Sequence, residues 1–167
     1  MLTGANQVWV GDITYIRMNQ QHVYLAAVMD LFNRKIVGWY LSQKRDGRLT
    51  SEALKRAING ECLSPGLVFH SDQGIEYASD ALRSVLSTHG IQQSMSRRGN
   101  CYDNAHMESF FHSLKTECLY HYRLPGPRTI GKLVFWYIEA FYNRARRHSS
   151  LGYLSPLTYQ EQHDRNR

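Results

Sequence analysis

Residues 7–42 read QVWVGDITYIRMNQQHVYLAAVMDLFNRKIVGWYLS, and this stretch decides the fold. Its first part, 7–18, is rich in Val, Ile, Tyr and Trp and partly alternates apolar with polar positions, which reads as a strand. Asn19-Gln20 can turn the chain. Residues 22–32, HVYLAAVMDLF, are apolar on both faces, the pattern of a strand covered on both sides in the middle of a sheet. Asn33-Arg34 is a second turn signal, and 35–42, KIVGWYLS, is a third strand. Three successive strands with short connections predict an antiparallel meander.

Beyond the meander the period changes. Thr50 or Ser51 can cap a helix whose formers, SEALKRAING, end at Gly60. After Pro65-Gly66, LVFHSD at 67–72 is a short buried strand. An amphipathic helix over 78–89 stops at Gly90, and IQQSMS at 91–96 is a fifth strand. The polar loop RRGNCY follows, and Asp103 can cap a helix running from about 104 to 119. Pro125-Gly126-Pro127 breaks the chain, and 129–146 is a single long helix with Phe135, Trp136, Tyr137, Phe141 and Tyr142 mainly in the core. SPLTYQEQ closes with a short helix. This order predicts an α/β fold in one domain, 1–167, with its core at about 7–156, the strands antiparallel at first and later joined through helices.

The gross numbers fit that reading. A chain of 167 residues suits one domain, and 43% hydrophobic residues suffice for one core. No apolar run approaches the ~20 residues that cross a bilayer, and MLTGANQVWV has no signal-peptide pattern, so a soluble, cytoplasmic protein is expected. Cys62, Cys101 and Cys118 are odd in number and form no CxxC pair, which favours reduced thiols over disulfides or a zinc site. The net charge of +6 is uneven: residues 1–93 hold 9 Lys+Arg against 8 Asp+Glu, and residues 94–167 hold 11 against 6. A basic C-terminal half suits a polyanion such as nucleic acid, although many basic proteins bind nothing acidic.

Three carboxylates carry candidate chemistry. Asp12 lies inside the first strand, where a carboxylate is costly unless paired or bound to a metal. Asp72 ends a buried strand, the place where sites form in α/β sheets. Glu108 lies on the helix after the polar loop. Three carboxylates from separate elements can flank two hard cations about 4 Å apart, an arrangement that drives phosphoryl transfer without a nucleophilic side chain. Taken singly, Asp12 also reads as a hydrogen-bonded buried residue, Asp72 as a turn residue and Glu108 as a solvated one.

The segments VWVGDITYI, FHSDQGIEY and SMSRRGNCYDNAHMESFFHSLKTE resemble the catalytic core of DDE transposases and retroviral integrases, most closely the integrase-like subunits of bacterial insertion-sequence transposases. The spacing of 35 residues between Asp72 and Glu108 matches that family, and FYNRARRHSSLGYLSP resembles the end of its domain. The resemblance runs from about Trp9 to Pro156. It implies an RNase H-like fold, a five-stranded mixed sheet flanked by helices. It implies Asp12, Asp72 and Glu108 as ligands of two Mg²⁺ or Mn²⁺ ions. The implied reaction is DNA strand cleavage followed by strand transfer, on transposon ends and target, by a homodimer or larger assembly. Family members carry a DNA-reading region before this domain, so a separate domain or subunit is expected to choose the DNA, and this chain alone to bind with weak sequence preference.

Other residues take supporting places. Lys115 shares a helix face with Glu108 and His112 and is expected to hold a DNA phosphate; a solvated lysine is the plain alternative. Arg97 and Arg98 belong to the loop before that helix and can contact DNA, or simply cover the surface. Asn104 is read as a substrate contact or a helix cap, and Arg146, with Arg144, Arg147 and His148, as a DNA-backbone contact or a solvated helix end. His70 is read as packing near Asp72, while Gln73 and Tyr77 divide between the DNA path and turn or core roles. The competing functions are a non-catalytic DNA-binding or assembly module on the same fold, and a nuclease that does not join strands.

Overall fold

The fold comes from a computed structural model, which describes residues 2–19, 21–96, 104–124 and 126–166. Five strands form one sheet: β1 (Val8–Met18), β2 (Gln21–Asp30), β3 (Ile36–Ser42), β4 (Val68–Ser71) and β5 (Gln92–Met95), in the order β3-β2-β1-β4-β5. β1–β2 and β2–β3 pair antiparallel, while β1–β4 and β4–β5 pair parallel. The expected meander and the mixed sheet are both present. Asn19 and Arg34, at the two meander turns, take positive φ values of 41° and 62°.

Helices cover both faces. α1 (Gly47–Gly60) and α2 (Asp80–Thr88) lie on one face, where Leu49, Ala53, Leu54, Leu82 and Leu86 pack against Trp9, Ala26, Val28 and Phe69. α3 (Ala105–Glu117) and α4 (Pro127–Phe135) lie on the other, where Met107, Phe110, Leu114, Ile130 and Val134 pack against Val10, Leu25, Ala27 and Met29. β2 sends alternate residues into the two cores, which is why its sequence shows no polar face. α5 (Pro156–Arg165) ends the fold, with Ser155 Oγ accepting from Thr158 N at its start.

Three expectations need correction, and a fourth, the capping role of Asp103, falls outside the described residues. The first helix starts a turn earlier than Thr50 or Ser51: Asp46 is its N-cap and accepts from the backbone of Arg48 and Leu49. Thr50 and Ser51 are buried inside it, their hydroxyls donating back to the carbonyls of Gly47 and Arg48. The long helix over 129–146 is α4 followed by a π-helical segment, Trp136–Tyr142, closed by Asn143 N donating to Ile138 O at 3.1 Å. The wider turn shifts the helical phase. The aromatics divide between core and surface. Tyr137 and Tyr142 are buried, whereas Phe135 and Trp136 are 58% and 53% exposed, with Trp136 stacked on Phe141. Finally, Asn104 starts α3 but its side chain makes no capping hydrogen bond to the helix.

Candidate active site

Parallel pairing sets two of the carboxylates side by side. β1 and β4 run in register with Trp9 opposite Phe69 and Val10 opposite His70. Carrying that register on by two residues brings Asp12 level with Asp72, on neighbouring segments and on the same face of the sheet. Gly11, just before Asp12, permits this close packing: a Cβ there would stand 2.5 Å from Phe69 Cζ and 3.2 Å from Tyr77 Cε1. Asp72 leaves β4 into a tight turn in which its Oδ1 accepts from Gly74 N at 2.9 Å.

Glu108 enters from α3. The helix lies along the β1 face that carries Asp12, and Lys115 fixes it there by donating from Nζ to Thr14 Oγ1 at 2.8 Å. Thr14 shares its strand face with Asp12, and Lys115 shares its helix face with Glu108. Glu108 is exposed on that face. The electrostatics register the convergence. The Asp12 carboxyl is pushed up to about 6, chiefly because burial penalises its charge, and both Asp72 and Glu108 raise it further. A backbone N–H from Ile13 and the Arg45 guanidinium oppose the rise.

The donor set suits a hard cation. It is all oxygen, drawn from a strand, the turn after a second strand and a helix, and it gathers like charges that repel one another until a cation joins them. Among the described residues, no three His, Cys, Asp or Glu side chains stand tightly enough together to enclose an ion. The triad is therefore an open constellation rather than a closed shell.

The remaining candidates fall in different places. Lys115 is half-buried, which lowers its ammonium pKa, and it stands 5.2 Å from the centre of the Tyr15 ring. Asn104 Oδ1 is buried at the start of α3 with no partner among the described residues. Arg97 and Arg98 lie outside the described residues. Arg146 is not brought to the triad. It grips Glu117 with Nε and Nη2, and Nη2 also reaches Ser113 Oγ at 3.2 Å. Glu117 follows Glu108 by nine residues, about two and a half turns, so Arg146 sits on the opposite side of α3.

His70 is in contact with Ser94 Oγ through Nδ1 at 3.0 Å, and its Nε2 is buried without a partner among the described residues. Tyr77 is core, packed near Phe69, while Gln73 is exposed. Arg45 was not foreseen. It forms an ion pair with Glu76 at 2.6 Å and opposes the charge of Asp12. Its place between β3 and α1 gives no local signal, since only the sheet order brings that connection near β4.

Comparison with known proteins gives the family and the fold. The integrase core domain model matches residues 3–101, and a second integrase core domain model matches residues 89–156. The chain belongs to the integrase core domain family. Its relatives include the transposase for insertion sequence element IS904 of Lactococcus lactis subsp. lactis (strain IL1403), 42% identical across 95% of this chain and 63% of that protein. Transposase InsF for insertion sequence IS3fB of Escherichia coli (strain K12) is 42% identical across 96% of this chain and 56% of that protein. This integrase core thus spans about three-fifths of those relatives' length.

Solved structures give the fold. The HTLV-2 integrase catalytic core domain in complex with magnesium, in a trimeric form, superposes with a TM-score of 0.72 at 17% identity, covering 94% of this chain and 97% of that one. A chain of the simian T-cell lymphotropic virus intasome, solved with the PP2A regulatory subunit B56 gamma, reaches 0.78 at 18% identity over 95% of this chain and 55% of that one. The integrase core therefore has the RNase H-like fold. No described helix is long and apolar enough to cross a membrane.

Proposed function

We propose that this chain is the catalytic domain of a bacterial insertion-sequence transposase, a metal-dependent polynucleotidyl transferase that cuts and joins DNA strands in the cytoplasm. One observation carries the reading: the parallel β1–β4 register brings Asp12 level with Asp72, and the Lys115 Nζ bond to Thr14 Oγ1 at 2.8 Å holds the α3 face that carries Glu108 against the same strand. Asp12, Asp72 and Glu108 would hold Mg²⁺ or Mn²⁺, two ions in the working complex. When bound, such ions lower the pKa of the attacking oxygen and stabilise the leaving one. A magnesium complex of a neighbour of the same fold is in keeping with this ion class.

The reaction class is an in-line displacement at phosphorus. Water forms a new P–O bond at the element end as the bond to the 3′-oxygen breaks, and the departing 3′-oxygen takes up a proton. That 3′-hydroxyl then forms a P–O bond to the target, releasing a second 3′-oxygen. Lys115 supplies a positive charge for a phosphate next to the reacting one, using ammonium donors that Thr14 does not occupy. Asn104, Arg97 and Arg98, at or just before the start of α3, contact the same strand, and Arg146 meets the backbone farther off. A dimer or larger assembly holds two DNA ends, and a separate reading domain or subunit selects them.

Strand joining by the purified chain on pre-cut duplex ends with Mg²⁺ or Mn²⁺ tests the assignment. Asp12→Asn, Asp72→Asn and Glu108→Gln should each abolish joining while leaving the melting profile cooperative. Joining that survives in any of the three, or in EDTA, overturns the triad.

A further inference from the structure

A small polar cavity lies on the far side of α3 from Glu108. Its volume is about 70 Å³, and it is lined by Arg34, His106, Ser109, Arg146, His148 and Ser150, over a floor that includes Phe110 and Tyr142. At ~10–15 Å³ per ordered water, such a space holds a few waters or one tetrahedral oxyanion, and no base or sugar. It draws on the β2–β3 turn, α3, the segment after the π-helical turn and the short helical turn Ser149–Leu151.

The groups around it have more capacity to donate than the fold consumes. Arg34 is half-buried, and its guanidinium has no hydrogen bond or ion pair among the described residues. Burial lowers its pKa, and Tyr142, Asp30 and Tyr159 oppose that fall only in part. A half-buried arginine is normally kept only where its donors find an acceptor. His148 Nε2 is buried and likewise without a partner among the described residues, its ring held edge-on to Tyr142 at 4.9 Å. Arg146 is committed to Glu117 through Nε and Nη2, which leaves Nη1 outside that fork. Burial and the neighbouring Arg146 push the His148 imidazole down to about 4. No carboxylate among the described residues lines the cavity: Glu117 is taken up by Arg146, and Asp30 acts on Arg34 from outside the lining.

We propose that this cavity is a phosphate-binding site separate from the catalytic triad, seating one backbone phosphate of duplex DNA between Arg34, His148 and the serine hydroxyls. The choice of DNA as the source of the phosphate rests on the function proposed above. The cavity is open at its edge, where Ser109 and Ser150 are exposed, and Arg147, beside Arg146 in sequence, is exposed to meet the adjoining backbone. A contact of this kind positions a duplex without reading its sequence. Because it lies across α3 from Glu108, it would hold DNA at a second point from the strand being cut.

The test is the salt dependence of duplex binding by the full 167-residue chain. Each phosphate contact contributes about 0.9 to the slope of log Kobs against log[salt]. Arg34→Gln should lower the slope by about that amount and weaken binding several-fold at low salt. Ser150→Asp, at an exposed position, should do the same by repulsion, and it decides the matter if Arg34→Gln fails to fold. An unchanged slope in the folded variants overturns the DNA assignment. A second arm adds inorganic phosphate alone and follows the His106 and His148 imidazole resonances. Saturable shifts that vanish in Arg34→Gln support the pocket. Such shifts with unaltered DNA slopes would assign it to free phosphate and overturn the DNA source, while no shift and no slope change would overturn the pocket altogether. Wild-type protein that binds no DNA at any salt would refute the proposed function and the DNA source together, with the phosphate arm still deciding the cavity.

Discussion

Lys115 and Thr14, 101 residues apart in sequence, are joined by a 2.8 Å hydrogen bond from Nζ to Oγ1. The bond ties the helix that carries Glu108 to the strand that carries Asp12. Thr14→Val removes the acceptor and keeps the charge, so it should cost about 0.5–1.5 kcal/mol in urea unfolding and reduce joining only several-fold. Lys115→Ala removes the charge itself and should take about 0.9 from the salt slope of DNA binding. Equal slopes for wild type and Lys115→Ala would show that this lysine serves only the fold.

Asp12 predicts a pH dependence whose sign is fixed by burial. Its carboxyl rises from 3.8 to about 6, so between those values the folded chain holds a proton that the unfolded chain has released. Its contribution to stability is therefore present at low pH and lost as pH climbs through about 6. At ~1.4 kcal/mol per unit, the loss is at most about 3 kcal/mol. Asp12→Asn should raise the metal-free melting temperature at pH 8 and change it little at pH 4. Added Mg²⁺ should stabilise the wild type at pH 8 and the Asn variant less. A substitution effect that is the same at both pH values would rule out this origin.

Asn143 secures the π-helical segment to the sheet edge. Its Oδ1 accepts from Ile36 N at 2.9 Å and its Nδ2 donates to Ile36 O at 3.0 Å, both buried. Asn143→Ala leaves a backbone donor and acceptor of β3 unmet and should cost about 2–4 kcal/mol by denaturant titration. A cost near zero would mean that water replaces the amide without loss.

Gly11→Ala tests how tightly β1 and β4 are set. The new methyl would meet the Phe69 ring, so a loss of about 1–3 kcal/mol is expected. Gly60→Ala, at a position with nothing within 4 Å, is the matched control and should be neutral or slightly stabilising. If the two variants melt alike, the Phe69 ring yields freely and the register does not depend on Gly11.

Much of the fold was legible because burial writes itself into short-range patterns. The unbroken apolar run 22–32 marked the central strand, and β2 does feed both cores. The first helix was misplaced by a turn because Asp46, Thr50 and Ser51 all have capping chemistry, and only packing decides which faces the open backbone. Phe135 and Trp136 were misread because the aromatic run 135–137 has no polar residue to mark which side of the helix faces solvent.

The sequence by itself determined the order of elements and supplied the three candidate carboxylates, since motif spacing and periodicity are properties of the chain as a string. Tertiary structure decided what those residues meet. The parallel β1–β4 register levels Asp12 with Asp72, the bond from Lys115 to Thr14 aligns α3, and the Glu117–Arg146 pair carries Arg146 to the far side of that helix. Arg34 and His148, 114 positions apart, share a cavity for the same reason. Charges interact through space, and the distances between them are fixed by packing rather than by their separation along the chain.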